Sequence, residues 1–172
     1  MRHRHTDGFT LVELLMAVAI IGIIAAIALP GLFRSRMAAN EASAIASMRS
    51  ISSAQSAYAA SCGWGFYATT LEDLAQPPPG GSSFLGADLA SSDIVKSGYT
   101  VSMSSDRAAP GSIPPSCNTG ALGTGFHAMA VPLTDAGSRE FATNTTGSIY
   151  FTNLPTAIVI SDEAIGTGLP LR

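Results

Sequence analysis

Gly8-Phe9-Thr10-Leu11-Val12-Glu13-Leu14-Leu15 opens an apolar run that continues to Leu29. Between Phe9 and Leu29 only Thr10 and Glu13 are clearly polar. As a helix rising 1.5 Å per residue, the run is about 31 Å long, close to the ~30 Å hydrocarbon core of a bilayer. A carboxylate in such a helix is costly, at about +2.5 to +3.5 kcal/mol at the bilayer centre and less toward the interface. An acid in a membrane helix therefore points to function and needs a partner. A cut after Gly8 would create one. Phe9 would then carry a free α-amino group, and Phe9 and Glu13, four residues apart, share one helix face. The amine can meet Glu13 of its own chain or Glu13 of a neighbour in an assembly.

The stretch Gly8 to Leu15 resembles the class III signal of type IV pilins and of type II secretion pseudopilins. The resemblance is strong over residues 1–60 and weak beyond them. It implies that a prepilin peptidase, a membrane aspartyl protease, cuts between Gly8 and Phe9 and N-methylates Phe9. It implies that Glu13 neutralises the new amine during assembly. Gly22 and Pro30 match the residues that, in that family, bound a segment able to lose helicity in the filament. The implied fold is α+β and pilin-like: a long N-terminal helix, transmembrane in its first half, packed on a small antiparallel β-sheet. The implied organisation is a cleaved leader at 1–8, a transmembrane and polymerisation helix at 9–29, an amphipathic second half at 30–61, and a globular head at 62–172. The implied partners are further pilin subunits, the peptidase and an inner-membrane assembly platform. Before assembly the chain would be a single-pass inner-membrane protein; afterwards it would lie in a surface filament or in the periplasm. The sequence lacks the Pro-x-Asp-Pro-Trp-Gly stretch of a major type II secretion pseudopilin, which favours a type IV pilin or a related subunit. The pseudopilin remains the alternative, and a membrane-anchored binding domain a third reading.

A cleaved secretory signal fits less well. The charged leader is only Met1–Gly8, the apolar run exceeds the usual 7–15 residues, and no Ala-x-Ala-like site ends it before Pro30. Arg2 and Arg4 argue for a cytoplasmic start, although Arg34 and Arg36 flank the other end. His3 and His5 belong to this basic leader and read as part of a topology signal.

The 172 residues allow one domain beside a spanning helix. Charged residues are 12% of the chain, about half the usual share. The net charge of −3 gives no case for nucleic-acid binding. Acidic residues dominate beyond residue 50, whereas Arg2, Arg4, Arg34, Arg36 and Arg49 gather around the helix. Cys62 and Cys117 read as a single disulfide of an exported domain, with free or metal-binding thiols as the alternative. A bridge closing that loop is worth about 4 kcal/mol on the chain-entropy model.

Gly22 and Ala26 form a small-xxx-small pair of the kind that lets helices approach closely in membranes. Pro30 cannot donate to the helix ladder and marks a kink. From Gly31 to Ser61 the pattern turns amphipathic. Met37, Ala44, Met48, Ile51 and Tyr58 recur at helical spacing and are expected to face a packed domain. Arg34, Arg36, Asn40, Glu41, Ser47, Arg49 and Ser53 are expected to face water. The predicted helix is one long, bent element over roughly 9–61. Thr69 or Thr70 is expected to cap a short helix over Leu71–Leu74, and Gly86–Ile94 to hold a short turn.

Strands are predicted at Gly98–Met103, Phe126–Val131, Ser138–Ala142, Gly147–Thr152 and, last, Thr156–Ile160. The third and fourth form a hairpin around Asn144-Thr145-Thr146-Gly147. Ser104–Gly125 is expected to be a loop tethered by the disulfide, and the tail from Gly166 carries no element. Asn144-Thr145-Thr146 fits a glycosylation sequon but reads as turn chemistry. His127 reads as a solvated or rim histidine. The adjacent acids Glu72-Asp73 and Asp162-Glu163 read as solvated. The resemblance admits a calcium site near the C-terminus, but the ligand spacing of an EF-hand is absent and no metal is expected. No Gly-x-Ser-x-Gly, His-Glu-x-x-His or P-loop occurs. The reading is a structural subunit without a cofactor, not an enzyme.

Overall fold

The computed structural model describes residues 9–171. They divide into an N-terminal unit ending at Arg36 and a head that begins at Met37. Helix α1, Leu11–Ser61, contributes to both.

In the N-terminal unit α1 starts at Leu11, so Phe9 and Thr10 lie just outside it. The helix runs through Pro30 without a break, although Pro30 has no N–H for the ladder. The Ser35 hydroxyl donates to the Gly31 carbonyl at 3.0 Å. Every residue from Phe9 to Arg36 is exposed except Ala25, which is half-buried.

The head is a six-stranded antiparallel sheet under the second part of α1. Its order is β2-β3-β5-β6-β7-β8, with β2 Ile94–Lys96, β3 Tyr99–Ser104, β5 His127–Pro132, β6 Arg139–Asn144, β7 Ile149–Asn153 and β8 Leu169–Pro170. A separate two-stranded pair joins β1, Tyr67–Ala68, to β4, Leu122–Gly123. On α1 the buried positions Ala44, Met48, Ile51, Gln55 and Tyr58 fall three or four apart, which makes one helix face. On β3 the alternation puts Tyr99, Val101 and Met103 inward. Ala128 and Ala130 on β5 are fully buried in the same core; their small side chains leave room for the larger helix residues. Helix α2, Leu71–Ala75, is capped by Thr70, whose hydroxyl accepts from the Asp73 N–H at 3.2 Å.

The helix and four of the five predicted strands match the observed elements. The fifth does not. Thr156–Ile160 forms no strand, because side chains take its N–H groups. Ile158 donates to Glu140 Oε2 at 3.0 Å and Val159 to Thr167 Oγ1 at 2.8 Å. The tail supplies the last strand instead, with Phe151 paired to Leu169 and Tyr150 to Pro170. Strand β2 falls at the end of the stretch read as a turn, and β4 within the stretch read as loop.

Glu41 and Ser47 are corrections of another kind. Both were expected to face water and both are buried. The Ser47 hydroxyl returns to the Ser43 carbonyl at 3.0 Å. Glu41 accepts from the Ser138 N–H and hydroxyl, each at 3.0 Å, and from Arg139 Nε at 3.0 Å and Nη2 at 2.5 Å. Arg139 also lies over the rings of Phe141 and Phe151, 5.5 and 5.3 Å from their centroids. Burial pushes the Glu41 carboxyl pKa up, but the hydrogen bonds from Arg139 and Ser138 outweigh it and hold the group below its ordinary value. Burial and the Glu41 charge push the Tyr99 phenol up to about 12.

Candidate functional site

Two places carry chemistry that packing alone does not require. The first is the start of α1. Thr10 is its N-cap residue, and Glu13 stands three positions on. The Thr10 hydroxyl accepts from the Glu13 N–H at 3.2 Å. Glu13 Oε2 accepts from the Thr10 N–H at 2.9 Å and from its hydroxyl at 2.6 Å. This is a capping box, in which each side chain satisfies an amide that the helix leaves unpaired. The spacing Thr-x-x-Glu before an apolar run is the sequence signal for this box. With Phe9 outside the helix, the carboxylate is held by Thr10.

Gly22 lies on open surface, where an added Cβ would meet nothing within 4 Å. Among the described residues no packing demands a glycine there. Pro30 is likewise exposed. Gly8, the proposed cleavage residue, lies outside the described residues, as do His3 and His5. Cys62 and Cys117 are bonded, with Cα atoms 4.9 Å apart. The bridge ties the end of α1 to the loop before β4, where the buried Asn118 accepts from the Tyr58 hydroxyl at 3.1 Å and donates to the Asp73 carbonyl at 2.6 Å.

The second place is at the start of β5. His127 pairs across the sheet with Ser104 on one side and Asn144 on the other. Its Nε2 lies 2.8 Å from the Ser104 hydroxyl, and its Nδ1 lies 2.9 Å from Asp162 Oδ1 and 3.7 Å from Asp106 Oδ1. Asp162 is therefore not a solvated acid: it is 5% exposed and held in place by its neighbours. Glu163 beside it is exposed. Glu72 accepts from Ser92, and Asp73 from Thr69 and Thr70. Asn144 is fully buried; its amide nitrogen donates to the Ser161 carbonyl at 3.2 Å and its amide oxygen accepts from the Thr146 hydroxyl at 2.8 Å. No sequence signal joined His127 to Asp106 and Asp162, since only the sheet register and the C-terminal loop bring them together.

A long N-terminal helix, apolar and exposed at its start, followed by an antiparallel sheet, is the pilin-like α+β layout. Residues 3–29 match the family model of the prokaryotic N-terminal methylation motif, so the chain carries the class III signal found in type IV pilins and pseudopilins. That match covers the leader and the first part of α1, and not the head. No curated protein and no solved structure matches the chain.

Proposed function

We propose that this protein is a structural subunit of a type IV pilus or pilus-like filament. A prepilin peptidase cuts between Gly8 and Phe9 and methylates the Phe9 amine. Subunits then leave the inner membrane and polymerise through residues 9–29, with the amine of one chain meeting Glu13 of its own or a neighbouring chain.

One observation carries this reading. Fifteen large apolar side chains between Phe9 and Phe33 are 47–78% exposed. Burying each is worth roughly 1 kcal/mol or more, so they need lipid or other subunits around them. The open surface at Gly22 supports close approach of a second helix there. The lack of a Pro-x-Asp-Pro-Trp-Gly stretch favours a pilus over a type II secretion pseudopilus.

The test is Glu13→Ala in the native host. Membrane insertion and cleavage are expected to persist, while the yield of sheared filament falls at least tenfold. A normal filament yield would refute the pairing of Glu13 with the new amine.

A further inference from the structure

We propose that Asp106, His127 and Asp162 form a binding site for a divalent transition metal ion of the zinc class. Each of the three residues offers one ligand atom, and these atoms all lie within 4.8 Å of one another; His127 Nδ1 stands 2.9 Å from Asp162 Oδ1 and 3.7 Å from Asp106 Oδ1. Bonds of ~2.1 Å to a tetrahedral or octahedral ion set neighbouring donors about 3.0–3.4 Å apart. The observed separations of 2.9 and 3.7 Å from Nδ1 bracket that range.

The second nitrogen of His127 and the second oxygen of each carboxylate are already held. Ser104 Oγ, 2.8 Å from Nε2, can accept its proton and so fix the tautomer that frees Nδ1. Asp162 Oδ2 accepts from the Asp106 N–H at 2.9 Å and from the Ser105 hydroxyl at 3.4 Å. Asp106 Oδ2 accepts from the Asp162 N–H at 3.0 Å. Such outer partners orient metal ligands and raise their affinity. Thr145 further fixes the loop by donating its hydroxyl to the Asp162 carbonyl. The loop comes close only because residue 125 is glycine: a Cβ there would stand 2.7 Å from the Asp162 Cβ.

Charge and space favour the same occupant. Two carboxylates share one imidazole, and the Asp162 side chain is 7% exposed. Arg107 lines the adjoining cavity, but among the described residues it pairs with neither acid. A divalent ion supplies the missing positive charge; it takes the place of a proton on Nδ1 while the imidazole's one proton sits on Nε2, facing Ser104 Oγ, so the ring stays neutral. The cavity, about 180 Å³, is large enough for water to complete the coordination. An imidazole donor and short separations suit zinc, whereas calcium takes six to eight oxygens at 2.3–2.6 Å. The bound ion would staple three segments: the loop after β3, the start of β5 and the C-terminal loop.

The chain has three histidines, of which only His127 lies beyond the leader. The test therefore uses the full chain in detergent with His3→Ala and His5→Ala, stripped of metal and titrated calorimetrically with Zn²⁺ or Ca²⁺. One Zn²⁺ per chain is expected, together with a rise in unfolding temperature. Asp106→Asn keeps an acceptor for the Asp162 N–H but loses the ligand charge; it is expected to weaken Zn²⁺ binding at least about tenfold. His127→Gln is expected to do the same, and the unfolding curves without metal check that both variants fold. The proposal is overturned if the parent binds no stoichiometric Zn²⁺, if a folded variant binds Zn²⁺ as tightly as the parent, or if Ca²⁺ binds more tightly than Zn²⁺.

Discussion

Replacing Glu41 by alanine removes the acceptor of four hydrogen bonds between α1 and the start of β6. Breaking one side of a buried ion pair costs about 3–5 kcal/mol. Arg139 is 33% exposed and can regain water, so the cost belongs near the lower end, about 3 kcal/mol. For a unit of this size that corresponds to a fall of about 10 °C in unfolding temperature. Near-UV circular dichroism of the full chain in detergent follows the loss of head packing directly. The double variant Glu41→Ala/Arg139→Ala is expected to fall short of the sum of the single ones by about 1–3 kcal/mol, because each single change already breaks the shared contact. The same pair sets an acid limit. The folded Glu41 pKa lies below its ordinary value of 4.5. Its contribution is therefore complete above that value and is lost as pH falls through the folded pKa. Glu41→Gln is expected to lower stability at neutral pH and to flatten this part of the pH profile. A Glu41→Ala fall of less than 2 °C, or an additive double variant, would refute the reasoning.

Three other outcomes are expected. Cys62→Ser with Cys117→Ser opens a loop of 55 residues, which on the chain-entropy model costs about 4 kcal/mol; denaturant unfolding of the head reads this. Gly8→Glu blocks processing, seen as an unshifted precursor band on a gel beside the faster wild-type product. Gly22→Leu does not destabilise the isolated chain, since no described residue touches that surface and glycine is the poorer helix former by about 0.5–1 kcal/mol, yet it lowers filament yield.

Local pattern disclosed most of the fold. The apolar run, the helical spacing of Ala44, Met48, Ile51 and Tyr58, the cap at Thr70 and the alternation in β3 are each set by residues close in sequence. Where the structure departs from the local pattern in the head, a distant partner mostly decided the outcome. Glu41 looks like a surface acid until β6 brings Arg139 to it. Thr156–Ile160 has strand composition, but Glu140 and Thr167 take its amides and the tail pairs with β7. Strand β2 is three residues long and earns its place only through pairing with β3. The two candidate sites divide in the same way. Thr10 and Glu13 are three apart and open to reading, whereas Asp106, His127 and Asp162 converge only in the folded head.

Mass spectrometry of the N-terminal peptide from sheared, microscopically verified filaments tests the central claim most directly. The account predicts a chain that begins at N-methylated Phe9 and retains Glu13. Filaments built from chains that still begin at Met1, or a functional protein found only as a membrane-tethered monomer, would contradict it.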